Sequence, residues 1–209
     1  MTLVRILVVV LLIAVSVFGA RVLEPSLLKP SLLKPSGAST DSSERLALVE
    51  RAPSRTPQDT GATERVAMVW ARLLDAARLS AETAPALVFD VDAIAHSQAS
   101  GEVFFGPSVL ALPDDEIAFV LGHELSHLML GHHDRMRDLA RTVNEASGSP
   151  DMVNAEHWLV EFEADARALA LMQDARFEVA GAARYLSRRA MSDGVTHPGT
   201  VRRARALGA

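Results

Sequence analysis

Two histidines four residues apart, with a glutamate directly after the first, lie inside an apolar stretch: Phe119-Val-Leu-Gly-His123-Glu124-Leu125-Ser126-His127-Leu-Met-Leu130. On an α-helix, positions i and i+4 share a face about one turn apart, so both imidazoles reach the same point in space. The apolar neighbours on every side call for burial. A fold around this segment therefore has to close a core over a helix that carries two imidazoles inward. The chain has no cysteine, so a metal held here takes only N and O ligands. Two imidazoles are two ligands of a tetrahedral zinc. Glu124 lies beside the first and is placed to take a proton from a metal-activated water without binding the metal itself.

A zinc site that does chemistry needs a third protein ligand and one open position. Three residues are candidates. Glu161, in Glu161-Phe-Glu-Ala-Asp165, comes 34 residues after His127 on the next expected helix. Asp165 is one turn further along the same face, where it can accept a hydrogen bond from a ligand imidazole and orient it. Glu163 is rotated about 200° from Glu161 and is assigned to solvent. His133 falls ten residues after His123, the third-ligand position of the pattern H-E-x-x-H-x-x-G-x-x-H, but Leu130 stands where that pattern turns on glycine. His157 lies one turn before Glu161, placed for the surface or for a supporting contact.

Around this segment the pattern is α+β, mostly helical with one small sheet. Thr63–Leu79 carries apolar residues at helical spacing. Ala86–Val91 and Gly101–Gly106 are β-type runs. Pro113-Asp-Asp opens the long helix, with Asp114 as N-cap, and it runs through Ile117–His132 with Gly131 placed to end it. A further helix covers Met152–Met172. The tail Arg176–Leu207 is helical with a break at Asp193–Thr200. The 5% aromatic content and abundant alanine favour this over a β-sandwich.

The N-terminal third is different. Arg5 precedes a run from Ile6 to Ala20 interrupted only by Ser16 and Gly19, a length between a signal-peptide core and a full span. Residues 1–20 are expected to be a cleaved signal peptide or an N-terminal membrane anchor. Either exports the rest of the chain, to the periplasm or the outer face of the cytoplasmic membrane. Residues 21–61, with the repeat Pro25-Ser-Leu-Leu-Lys-Pro-Ser-Leu-Leu-Lys-Pro-Ser36, are expected to form a linker, with a short helix at Glu44–Arg51. The folded domain is expected at 62–209. The net charge of −5 gives no footing for nucleic acid as a partner.

His123-Glu-Leu-Ser-His127, the pair Gly131-His132 and Glu161-Phe-Glu-Ala-Asp165 together resemble the HtpX-like zinc metallopeptidases, the group of gluzincins that includes the CAAX prenyl protease. Ala95-His96-Ser97 followed by Gly101–Gly106 is similar to that family's edge strand, with Ile94 where asparagine is usual. Thr196-His197-Pro198 with Arg203 resembles its closing His-Pro…Arg element. The resemblance implies a zincin-like domain binding one Zn2+ through His123, His127 and Glu161, with Asp165 behind the ligands. It implies Glu124 as general base, His197 near the oxyanion and Arg203 paired with Asp165 or Glu163. It further implies that Glu102–Phe105 takes an extended polypeptide as an added strand. The expected activity is hydrolysis of peptide bonds in exposed or misfolded envelope proteins. Three readings compete with it. One is a metzincin-type site using His133, another an envelope protein that binds unfolded partners with zinc in a structural role. The third is a metal-free, membrane-associated helical adaptor.

Overall fold

In the computed structural model, residues 60–146 and 149–208 are described. The expected signal segment or anchor, and the linker up to residue 59 with its short helix, lie outside them; residues 60 and 61, the expected end of the linker, already belong to the first helix. No helix among the described residues is long and apolar enough to cross a membrane.

The first helix, α1 (Thr60–Ala76), buries Val66, Val69, Trp70 and Leu73, the i, i+3, i+4, i+7 stripe read from the sequence. It stops three residues before the expected Leu79, where Arg78 adopts φ 55° and the Leu79 N–H turns back to Leu74 O at 3.0 Å.

The chain then builds a three-stranded sheet from β1 (Ala86–Phe89), β2 (Ala95–Gln98) and β3 (Glu102–Phe105). The order is β1-β3-β2. β3 runs parallel to β1, with Leu87 opposite Val103, and antiparallel to β2, with His96 opposite Phe104. Gly101, at φ 94°, supplies the left-handed residue of the β2–β3 hairpin loop. This order corrects one expectation. Glu102–Phe105 is the central strand, hydrogen-bonded on both sides, so it cannot accept another strand. Its Val103 and Phe105 are core residues. Among the described residues the edge is β2, which pairs with β3 alone.

After the one-turn helix α2 (Pro107–Leu110) comes α3 (Asp114–Met129), the central element. Pro113, with extended φ/ψ, is its cap; Asp114 is its first helical residue and makes no capping hydrogen bond. Asp114, Asp115 and Glu116 still place negative charge at the N-terminal end of the helix dipole. Ile117 to Leu121, His123, Leu125 and Ser126 are buried, so the helix is covered on most of its circumference. Each fully buried Ile, Leu or Phe here stabilises the fold by about 1.5–3 kcal/mol. The helix ends at Leu130 and Gly131, whose φ of 67° turns the chain at once into α4 (His132–Glu145). No element is expected here in the sequence analysis, although Met136, Leu139, Ala140 and Val143 fall at i, i+3, i+4 and i+7; of the α4 residues only His132 and Val143 are buried.

The longest helix, α5 (Pro150–Asp174), exceeds the expected Met152–Met172 by two residues at each end. Ser149 caps it by accepting from the Asp151 N–H at 3.2 Å. Its Ala164 and Ala168 are fully buried, and Ala168 faces Gly122 of α3. These small residues let α3 and α5 lie close together. The tail forms α6 (Ala180–Arg188) and α7 (Thr200–Ala206) around the expected break. The result is an α+β fold, mostly helical, with the sheet beside α3.

Candidate metal centre

The contact between α3 and α5 creates the site. His123 and His127 project from α3 towards Glu161 of α5, and one ligand atom from each lies within 4.8 Å of the others. The two Nε2 atoms are 3.1 Å apart. Glu161 Oε2 is 3.5 Å from His123 Nε2, and Oε1 is 3.4 Å from His127 Nε2. Glu161 Oε2 is buried with no hydrogen-bond partner. A buried carboxylate oxygen left unpaired is costly, and a cation at this point would satisfy it. Two imidazoles and one carboxylate, with no sulfur, form the donor set of a zinc centre that keeps a position open. By the unpaired oxygen and by donor chemistry, the residues fit zinc.

The protons can be placed. Asp165 Oδ1 lies 2.9 Å from His123 Nδ1. A carboxylate accepts only, so Nδ1 donates and Nε2 keeps its lone pair towards the site. Arg203 closes the far side of Asp165, with Nε 2.7 Å from Oδ2 and Nη2 2.5 Å from Oδ1, and its Nη1 reaches to 3.5 Å from Glu161 Oε2. Of the two partners expected for Arg203, it takes Asp165. Asp165 is 0% exposed. Burial alone would raise its pKa, but hydrogen bonds from Arg203 and His123 hold the carboxyl below its usual range. Burial likewise opposes ionisation of Glu161; the His127 hydrogen bond and the charges of His123, His127 and Arg203 outweigh it and bring that pKa down to about 2. Burial works to lower the pKa of His123, yet Asp165 raises it on balance.

Glu163 is exposed, as its rotation from Glu161 suggested, but it has partners. The opposite face of α5 packs on α4, and there Glu163 meets Arg135 Nη1 at 2.7 Å and His132 Nε2 at 3.2 Å. Arg135 also pairs with Glu156. In the sequence analysis His132 enters only in the pair Gly131-His132, and Arg135 has no role. His133, the metzincin-type candidate, turns to β2, where its Nε2 is 3.1 Å from Ser97 Oγ. The one group of residues able to hold a metal among those described includes neither His133 nor His157.

A cleft of about 300 Å³ opens over the site. All seven histidines of the chain line it, from β2, α3, α4, α5 and the loop before α7. Glu124 lines it too, half-buried. His197 enters on the loop, 59% exposed, with Nε2 3.6 Å from Glu161 Oε1. The loop is pinned where the Trp158 indole donates to Gly194 O at 3.0 Å and Asp193 accepts from the Gly199 N–H at 2.7 Å. Thr196 Oγ1 lies 2.8 Å from His197 Nδ1.

No curated protein and no solved structure matches the chain. Residues 61–148 match the family model of peptidase family M48. That stretch contains His123, Glu124 and His127, while Glu161, Asp165, His197 and Arg203 lie beyond it, on the elements packed against it. The family is one of metal-dependent peptidases, in keeping with the donor set just described. Over residues 61–148 the chain is similar to the peptidases of family M48.

Proposed function

We propose that the protein is a zinc-dependent endopeptidase that hydrolyses peptide bonds in extended or unfolded polypeptide. The carrying observation is the convergence on one point of two imidazole Nε2 atoms and a buried oxygen of Glu161 that has no hydrogen bond. His123, His127 and Glu161 would hold one zinc, which would supply Lewis-acid activation of a water and of the scissile carbonyl. Glu124 takes the proton of that water and delivers it to the leaving amine. His197, above Glu161, donates a hydrogen bond to the oxyanion. Asp165 and Arg203 keep His123 and Glu161 oriented and ionised. The substrate adds as a strand to the free edge of β2, whose Ala95, His96 and Ser97 line the cleft. Recognition of backbone rather than side chains suits broad substrates. Residues 1–20 export the enzyme, as signal or anchor, and misfolded envelope proteins are its substrates; fractionation of cells expressing the full chain tests the location.

The test of the activity is zinc content together with cleavage of casein by the full-length protein, parent beside Glu124→Gln. One zinc in each, with cleavage reduced by about 10²-fold or more in the variant, is expected. Zinc without cleavage in either would turn the reading towards a protein that binds unfolded partners. A folded parent without zinc would end it.

A further inference from the structure

His132 is 1% exposed, yet it is not among the metal-capable residues and takes no part in the proposed reaction. A buried imidazole has to satisfy both nitrogens. Its Nε2 lies 3.2 Å from Glu163 Oε2, and its Nδ1 lies 3.0 Å from His127 Nδ1. The carboxylate can only accept, so His132 Nε2 carries a proton. Two facing Nδ1 atoms need one donor and one acceptor. If His127 offers its Nε2 lone pair to the metal, its own Nδ1 must carry the proton and His132 Nδ1 must accept. The arrangement is closed from outside by Arg135, 2.7 Å from the same Glu163 oxygen and held in turn by Glu156. Gly131 makes it possible: its left-handed turn starts α4 with His132 folded back against His127.

We propose that Arg135, Glu163 and His132 form a hydrogen-bonded chain that fixes His127 in its Nδ1–H tautomer and aims its Nε2 into the metal site. His132 and Glu163 are then positioning residues. The inference rests on the zinc reading above for the direction of the His127–His132 bond. The site is therefore supported asymmetrically. His123 is held by one buried carboxylate, whereas His127 is held through an imidazole by a half-exposed one. Each ligand histidine has its own anchor: Asp165 of α5 for His123, and His132 of α4, backed by Glu163 of α5, for His127.

The experiment uses the full-length protein in four variants. His132→Leu removes both hydrogen bonds, while His132→Asn puts an oxygen acceptor near the position of Nδ1. Glu163→Leu removes the terminal acceptor, while Glu163→Gln keeps an oxygen there. Zinc affinity is measured by chelator competition, and the His127 tautomer by ¹⁵N NMR of the metal-free protein. Outer partners of metal-bound histidines typically contribute 10–100-fold in affinity. A loss of roughly that size is expected in both leucine variants, with the asparagine and glutamine variants close to the parent. The parent His127 should carry its proton on Nδ1, and His132→Leu should mix the tautomers. Equal losses within each pair, or none, would overturn the proposal, as would an Nε2–H His127 in the parent. If His132→Leu does not fold, the Glu163 pair decides, because that side chain is 46% exposed and tolerates exchange. If the parent binds no zinc, the proposed function fails, and the tautomer alone decides the chain.

Discussion

Asp165 and Arg203 show what a single pair decides. The carboxylate is fully buried and the guanidinium nearly so, with side-chain exposures of 0% and 13%. Removing one partner leaves an uncompensated buried charge. Arg203→Leu is therefore expected to destabilise the protein by about 3–5 kcal/mol, read from urea unfolding. Asp165→Asn keeps the packing but weakens the hold on His123, and should reduce zinc affinity by roughly 10–100-fold in chelator competition. Unchanged affinity would show that His123 needs no anchor. Glu161→Gln should lower zinc content while His133→Gln leaves it intact; the reverse would move the third ligand to His133. These residues were legible in the sequence because a helix fixes local spacing: His123 with His127, and Glu161 with Asp165, each lie one turn apart. The partners of Glu163, which is exposed as expected, were not legible, for a related reason. Rotation about α5 gives its direction relative to Glu161, but not what packs on that side.

What packs there is α4, an element passed over in the sequence analysis. Met136, Leu139, Ala140 and Val143 lie at i, i+3, i+4 and i+7, so a helix was legible there; that it packs on this side of α5 and carries His132 and Arg135 to Glu163 was not. The sheet shows a second limit. Strand-forming runs are local, but strand order is set by long-range pairing, so the central position of β3 could not be read from Glu102–Phe105. The edge at β2 makes its own prediction. Ile94 O accepts from the Gly106 N–H at 3.0 Å and Gln98 O from the Gly101 N–H at 2.9 Å, so both face the β3 side. By alternation, Ala95 and Ser97 turn their backbone groups to the open edge. Ala95→Pro removes one outward N–H. It should raise KM for an unfolded protein substrate without changing zinc content, and an unchanged KM would remove strand addition at β2. Gly106 seals the other end of this hairpin: a Cβ there would sit 1.9 Å from Ala93 O. Gly106→Ala is accordingly expected to cost about 2 kcal/mol or more in unfolding free energy.

For the whole molecule, the buried imidazole of His132 makes folding pH-dependent. Burial, reinforced by the nearby His127, lowers its pKa from 6.5 to about 4. Between those values the unfolded chain binds a proton that the folded protein refuses. Stability therefore falls as pH drops from 6.5 towards 4, by an amount on the order of 2–3 kcal/mol. His132→Asn does not titrate, so the difference in unfolding free energy between it and the parent should change across this window. A constant difference would mean that His132 has an ordinary pKa. The depressed Glu161 adds its own loss further down, as pH falls below 4.5 towards about 2. At this scale the α+β class was readable from helical spacing, turn residues and few aromatics. The placement of the tail was not readable from local pattern; the Arg203 contact with Asp165 that joins α7 to α5 was expected, as one of two options, only through the family resemblance.

The cleft has gathered every histidine in the sequence. In a spectrum of the full-length protein, then, no imidazole signal comes from anywhere else. Without labels, tags or assignment of the backbone, the imidazole signals of a proton spectrum report on this cleft alone, and metal entry, inhibitor binding and strand docking would each be read there.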